Sequence, residues 1–205
     1  LYRLISATPS PYARKVRMTV IEKGLADRVA IEPGVPLGTA DEAAAVRRVN
    51  PLGKIPALVL DTGEALYDSP VICEYLDAIG TGPTLLPASG TGRWTALRLQ
   101  ALGDGVADAA FNIVMEHRRA EALRSTEWLD RWSGAIHGAA DALEEALATG
   151  PLAADLGGIA IAAAFGYLDF RLPQIDWRAG RPRLTAAFAD LAARPSFVST
   201  APPKG

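Results

Sequence analysis

The stretch that decides the fold is Tyr2-Arg3-Leu4-Ile5-Ser6-Ala7-Thr8-Pro9-Ser10-Pro11-Tyr12. Its first half is a short apolar strand. A helical pattern follows over 11–23 and closes at Gly24. Ser10-Pro11 therefore falls on a strand-to-helix junction. Proline suits a first helical turn, where its missing N–H is not needed. A helix start offers unpaired N–H groups and a partial positive charge. A hydroxyl held there can stabilise an anion, above all a thiolate. Taken alone, a serine in this place reads as a helix cap.

Two further anchors lie downstream. In Asn50-Pro51-Leu52-Gly53-Lys54-Ile55-Pro56-Ala57-Leu58-Val59-Leu60, Pro56 precedes an apolar run and sits where a strand begins, so it removes no ladder hydrogen bond. Asp68-Ser69 opens a helix whose Val71, Ile72, Tyr75, Leu76 and Ile79 share one face. Between these anchors, Val29 and Ile31 suggest a second strand and 41–49 a short alanine-rich helix. Residues 57–60 and 65–66 flank Asp61-Thr62-Gly63 as a hairpin. Residues 1–79 thus read as β-α-β-α-β-β-α. The turn-forming segment 80–90 reads as a linker.

Beyond it, over 91–205, the alternation stops and helical periods take over. Leu99, Leu102, Val106, Ala110 and Ile113 form one stripe. Trp128, Trp132, Ile136, Leu143 and Leu147 form a second, broken by Gly134 and Gly138. Further helices are expected over about 155–170 and 184–193. A strand-containing unit followed by a run of helices predicts an α/β domain joined to an all-α bundle.

Composition sets the limits. The 205 residues are 49% hydrophobic and 21% charged, with a net charge of −2. That describes a soluble globular chain and gives no electrostatic case for nucleic acid or an anionic membrane surface. The most apolar run, 159–168, is about half the length that spans a bilayer, so it reads as a buried core helix. A single cysteine, Cys73, excludes an internal disulfide and fits a reducing cytoplasm. No leader pattern is read at the start of the sequence. His117 and His137 have no ligand partners at metal-binding spacing, so no metal is expected. Cys73 reads as an inert buried thiol, and the four tryptophans as packing residues.

Ser-Pro-Tyr, Asn-Pro-Leu-Gly-Lys-Ile-Pro and Asp-Ser before a helix, in that order, resemble the glutathione transferase family over essentially the whole chain. The resemblance implies a thioredoxin-like N-terminal domain (1–79) and an all-helical C-terminal domain (91–205). Glutathione would be the co-substrate, with no metal, in a homodimeric cytoplasmic enzyme acting on small hydrophobic electrophiles. By the same resemblance, Ser10 donates a hydrogen bond to the glutathione sulfur. A free thiol has a pKa of about 8.5. One charge-assisted bond of roughly 1.5–3 kcal/mol lowers that by about one to two units. The position also matches the first cysteine of a thioredoxin-type redox pair. With Ser10 and Ala13 there, disulfide exchange through the protein is lost.

Pro56 matches the family's cis-proline, which exposes the Ile55 backbone to the cysteinyl unit of glutathione; without a ligand it is a strand-initiating proline. Ser69 suits the γ-glutamyl carboxylate and Asp68 its ammonium, or the pair is a plain cap. Lys54 is a partner for the glycyl carboxylate or a solvated loop charge. Asp104, in Gly103-Asp104-Gly105-Val106-Ala107-Asp108, matches a position that reaches across the family's dimer interface; otherwise it is an exposed helix carboxylate. Tyr12, Ala107, Phe111 and Met115 are expected to line the electrophile pocket.

The sequence departs from the family at Asp155-Leu156-Gly157-Gly158. Two glycines in a first helical turn cost about 1 kcal/mol each relative to alanine. Two other functions remain open on this scaffold. One is a non-catalytic ligand-binding or protein-interaction module. The other is a glutathione-dependent isomerase, dehalogenase or peroxidase.

Overall fold

A computed structural model, describing residues 1–203, builds the N-terminal alternation into a four-stranded mixed sheet. The elements are β1 (Tyr2–Ser6), α1 (Pro11–Glu22), β2 (Val29–Pro33), α2 (Ala40–Val49), β3 (Ala57–Val59), β4 (Ala65–Leu66) and α3 (Ser69–Ile79). Strand order is β2-β1-β3-β4. β1 runs parallel to β2, with Leu4 opposite Ile31, and antiparallel to β3, with Leu4 opposite Leu58. β4 returns antiparallel to β3, with Leu66 opposite Leu58. The central strands are buried along almost their whole length, as apolar runs covered by helices require.

Helix α1 departs from the simple amphipathic picture. Arg14, Lys15 and Arg17 are buried along with Val16, Met18 and Val20. The cause is a cover that periodicity does not announce. A short C-terminal helix, α8 (Pro195–Ser199), lies on α1. There the Arg14 guanidinium sits 3.8 Å from the centre of the Phe197 ring, and its Nη2 donates to the Phe197 carbonyl at 2.9 Å. The chain accordingly divides into two compact units. One comprises residues 1–93 and the segment from Pro195 onward; the other is Trp94–Arg194. The sequence boundaries assign that last segment to the helical part. Its contacts with α1 join it to the sheet-containing unit.

A buried ion pair fixes the start of the linker. Lys23 Nζ lies 2.9 Å from Asp77 Oδ1, with side chains 3% and 8% exposed. The same ammonium donates to the carbonyls of Gly82 and Pro83, while Asp77 accepts the N–H groups of Leu85 and Leu86. Buried charges persist only when satisfied in this way. The segment 80–90 is thereby clamped against α1 and α3.

The second unit contains α4 (Gly90–His117, continuing from the first unit), a 3-10 turn (Glu121–Leu123), α5 (Thr126–Ala146), α6 (Leu156–Arg171) and α7 (Pro182–Ala192). Residues 156–168 of α6 are buried, as its uniform apolarity predicts. Asp155 Oδ1 caps α6 by accepting from Gly158 N at 3.0 Å. The glycines behind that cap are required by the packing. A Cβ on Gly157 would lie 2.6 Å from Leu99 Cβ, and one on Gly158 only 1.9 Å from the Ala153 carbonyl oxygen. The expected loss of stability from these glycines is therefore corrected: alanine does not fit.

The tryptophans also divide. Trp177 is 1% exposed, with its ring 4.7 Å from Phe165 and 5.1 Å from Phe188. Trp128 stacks on Trp132 but is 49% exposed, and Trp94 is 68% exposed. The buried stripe of α5 thus begins at Ile136 rather than at Trp128. Cys73 is buried, with its sulfur 3.3 Å from Thr19 Oγ1. Among the described residues, no helix is long and apolar enough to cross a membrane, and no group of three His, Cys, Asp or Glu comes together as a metal site.

Candidate functional site

Ser10 is the N-cap of α1, in extended conformation, with Pro11 in the first turn. Its Oγ accepts from Ala13 N at 3.2 Å and its carbonyl accepts from Arg14 N. The cap reading is the one these bonds show. Capping uses the hydroxyl as an acceptor, and a serine hydroxyl also carries one O–H donor.

Sheet topology places this cap relative to the other anchors. β1 ends at Ser6 and leads into the Ser10 turn. Ile5 pairs with Ala57, the first residue of antiparallel β3, so the Ile55-Pro56 segment lies at the same end of the sheet. β4 is antiparallel to β3, so its exit through Tyr67 to Asp68 and Ser69 points to that end as well. Ser10, Ile55-Pro56 and Asp68-Ser69, well separated in sequence, therefore converge on one end of the sheet. Each is held by an element terminus.

The peptide between Ile55 and Pro56 is cis, as is that between Tyr67 and Asp68. Ile55 packs against the cluster of Ile5, Ala57 and Val59. Asp68 is the N-cap residue of α3, yet its exposed carboxylate makes no side-chain cap bond. Ser69, the first residue of α3, is 3% exposed. Lys54 is exposed, and its carbonyl accepts from Asn50 Nδ2 at 2.8 Å. Tyr12 lies in the first turn of α1. Ala107, Phe111 and Met115 fall at four-residue spacing along α4, one side of a helix. Asp104 is on the same helix, half-buried.

Periodicity missed three residues near these anchors. Asn50 is 1% exposed; its Oδ1 accepts from Leu52 N at 3.0 Å while its amide holds Lys54 O, shaping the loop that delivers Pro56. Asn before Pro at a helix end is the available signal. Arg17 Nη2 donates to the Thr8 carbonyl at 2.9 Å, holding the turn that presents Ser10. Burial pushes the Arg17 guanidinium below its ordinary range. Arg14 is held down at about 10, first by burial and then by Arg17 beside it. No hydrophobic period marks Arg14 or Arg17 for burial, because the groups that hold them lie outside α1.

Comparison with known proteins accords with this geometry. Residues 9–79 match the glutathione S-transferase N-terminal domain, and residues 126–190 the C-terminal domain. The GST-like protein YibF of Escherichia coli K12 is 37% identical, over 98% of this chain and 99% of its own length. The chain belongs to the glutathione S-transferase family. Among solved structures, a glutathione transferase family member from Pseudomonas fluorescens Pf-5 with bound glutathione superposes with a TM-score of 0.91. It is 40% identical, over 99% of this chain and all of that one. A glutathione S-transferase from Methylobacillus flagellatus with glutathione bound gives a TM-score of 0.92 at 35% identity, with the same coverage. The transferase architecture of a thioredoxin-like N-terminal domain and a helical C-terminal domain is the one described above.

Proposed function

We propose that this transferase-family protein binds glutathione at the shared end of the sheet and activates its thiol for attack on small hydrophobic electrophiles. Ser10 is the activating residue. The observation that carries the reading is its place at the α1 N-terminus, with the hydroxyl accepting from the helix and its own proton left to donate to sulfur. The helix dipole acts in the same direction, favouring thiolate over thiol. The thiolate carbon–sulfur bond then forms as the electrophile's leaving group departs or its activated double bond takes up the electron pair and a proton.

The remaining anchors hold the tripeptide. The Ile55 backbone, two residues beyond the β1–β3 ladder, pairs with the cysteinyl unit as an added strand would. Ser69, at the start of α3, receives the γ-glutamyl carboxylate, and Asp68 receives the ammonium. The uncapped state of the Asp68 carboxylate supports that role over plain helix capping. Lys54 pairs with the glycyl carboxylate. Asp104 reaches the γ-glutamyl end bound by a second subunit in a homodimer, and the Ala107, Phe111, Met115 side of α4 meets the apolar acceptor.

The test is the thiol pKa of bound glutathione, followed by thiolate ultraviolet absorbance against pH. The expected result is a value about one to two units below that of free thiol, restored in Ser10→Ala. With an acceptor substrate, the same substitution is expected to lower turnover about ten- to a hundredfold. Binding without a pKa shift would instead indicate a glutathione carrier, and full turnover in Ser10→Ala at neutral pH would remove Ser10 from the mechanism.

A further inference from the structure

Arg17 is a charge that folding alone does not explain. It is 9% exposed, and its Nε has no hydrogen-bond partner among the described residues. Its one hydrogen bond among the described residues, from Nη2, goes to the carbonyl of Thr8. No carboxylate among the described residues pairs with it, in contrast to Lys23, which is fully satisfied by Asp77 and two carbonyls. One turn earlier, Arg14 is held away by Phe197 and Thr200. An unpaired buried guanidinium is costly, and arginine does not shed its proton to relieve the cost. Such a charge is tolerated where an anion is to be met.

The anion is indicated by where Arg17 is tied. Thr8 is two residues before Ser10, in the turn whose Ala7 carbonyl accepts from Ser10 N. The guanidinium thus braces the segment that aims the Ser10 hydroxyl. We infer that Arg17 is a positioning residue of the thiolate site: it fixes the Thr8-Pro9-Ser10 turn and adds an uncompensated positive charge behind the sulfur of bound glutathione. This rests on the proposed thiolate-activating function and deepens it. Arg17 does not touch the ligand. It acts through the turn and through space, together with the α1 dipole.

The experiment compares wild type, Arg17→Met, Arg17→Lys and Ser10→Ala. In each, glutathione affinity is measured by calorimetry, the bound thiol pKa by thiolate absorbance, and folding by circular dichroism and urea midpoint. Arg17→Met removes a buried unpaired charge, so its urea midpoint is expected at or above that of wild type. Its bound thiol pKa is expected to rise by roughly half a unit to one unit, with glutathione affinity changed less than about threefold. Arg17→Lys, which keeps the charge, is expected to retain most of the shift. That variant decides the matter should Arg17→Met fail to fold.

A wild-type shift that survives intact in Arg17→Met would overturn the inference and leave the Ser10 mechanism standing. A shift lost in both Met and Lys variants along with the fold would make Arg17 purely structural, also overturning it. No shift in wild type would sink both readings together.

Discussion

Replacing Gly103 and Gly105 by alanine, one at a time, should move stability in opposite directions although both lie in the interior of α4. Helix propensity treats them alike: each exchange removes backbone entropy from the unfolded chain and favours the helix by up to about 1 kcal/mol. Their surroundings differ. A Cβ at Gly105 meets nothing within 4 Å, whereas one at Gly103 would lie 2.7 Å from the Ala160 carbonyl carbon and 2.9 Å from both Ala160 O and Ile161 N. These are backbone atoms of the buried helix α6, which has no side chain there to swing aside. α6 must back away by about half an ångström or more, and overpacking of this kind costs about 1–3 kcal/mol.

With the opposing backbone rigid, the upper part of that range applies. Setting it against the propensity gain leaves Gly103→Ala destabilised by about 2 kcal/mol and Gly105→Ala stabilised by up to about 1. The gap of about 3 kcal/mol corresponds to about 1 M or more in urea midpoint. It is read by circular dichroism and tryptophan fluorescence together. Gly103→Ala at or above the midpoint of Gly105→Ala would refute the close approach of α4 and α6.

Three further outcomes follow from the structure. Asp77→Ala strands the buried Lys23 ammonium and the N–H groups of Leu85 and Leu86, and is expected to cost about 3–5 kcal/mol; a loss below about 1 kcal/mol in denaturant titration would show that the ion pair does not hold the linker. Glu42 is kept below the usual carboxylate range, first by the Thr39 backbone N–H and then by the Thr39 hydroxyl, and the two residues form the capping box of α2. A lowered carboxylate pKa stabilises the fold above the unfolded value of about 4.3, and that contribution is lost as pH falls through the folded value. The stability gap between wild type and Glu42→Gln should therefore be open at pH 7 and close in acid. A gap independent of pH would contradict the assignment. Asp68→Asn, which keeps shape and removes charge, is expected to weaken glutathione binding about 10- to 100-fold by calorimetry while leaving the bound thiol pKa in place. Unchanged affinity would take Asp68 out of the site.

Much of the fold is legible because its signals are local. Ser10-Pro11 marks a helix start, and α1 begins at Pro11. The hairpin around Asp61-Thr62-Gly63 and the α3 boundaries at Ser69 and Ile79 follow from turn residues and 3.6-residue spacing. Apolar residues on all sides of 159–168 demanded a buried helix, and α6 is one. The transferase resemblance rested on these same ordered junctions. Of the candidate site, the positions were legible to the same depth, since Ser10, Pro56 and Ser69 lie at or beside element ends.

What sequence determined by itself, then, is where elements begin and end, since caps, prolines and hydrophobic periods act within a few residues of themselves. Tertiary structure decided what each element meets. Gly157 and Gly158 look like helix-weakening residues until Leu99 and Ala153 occupy the space their side chains would need. Trp128 looks like core, yet is half exposed because the buried stripe of α5 starts about two turns later. The burial of Arg14 and Arg17 follows from the C-terminal segment that covers Arg14 and the Thr8 turn that takes Arg17. Burial, close approach and the satisfaction of buried charge depend on partners far away in the chain, and such contacts leave no period in the sequence to be read.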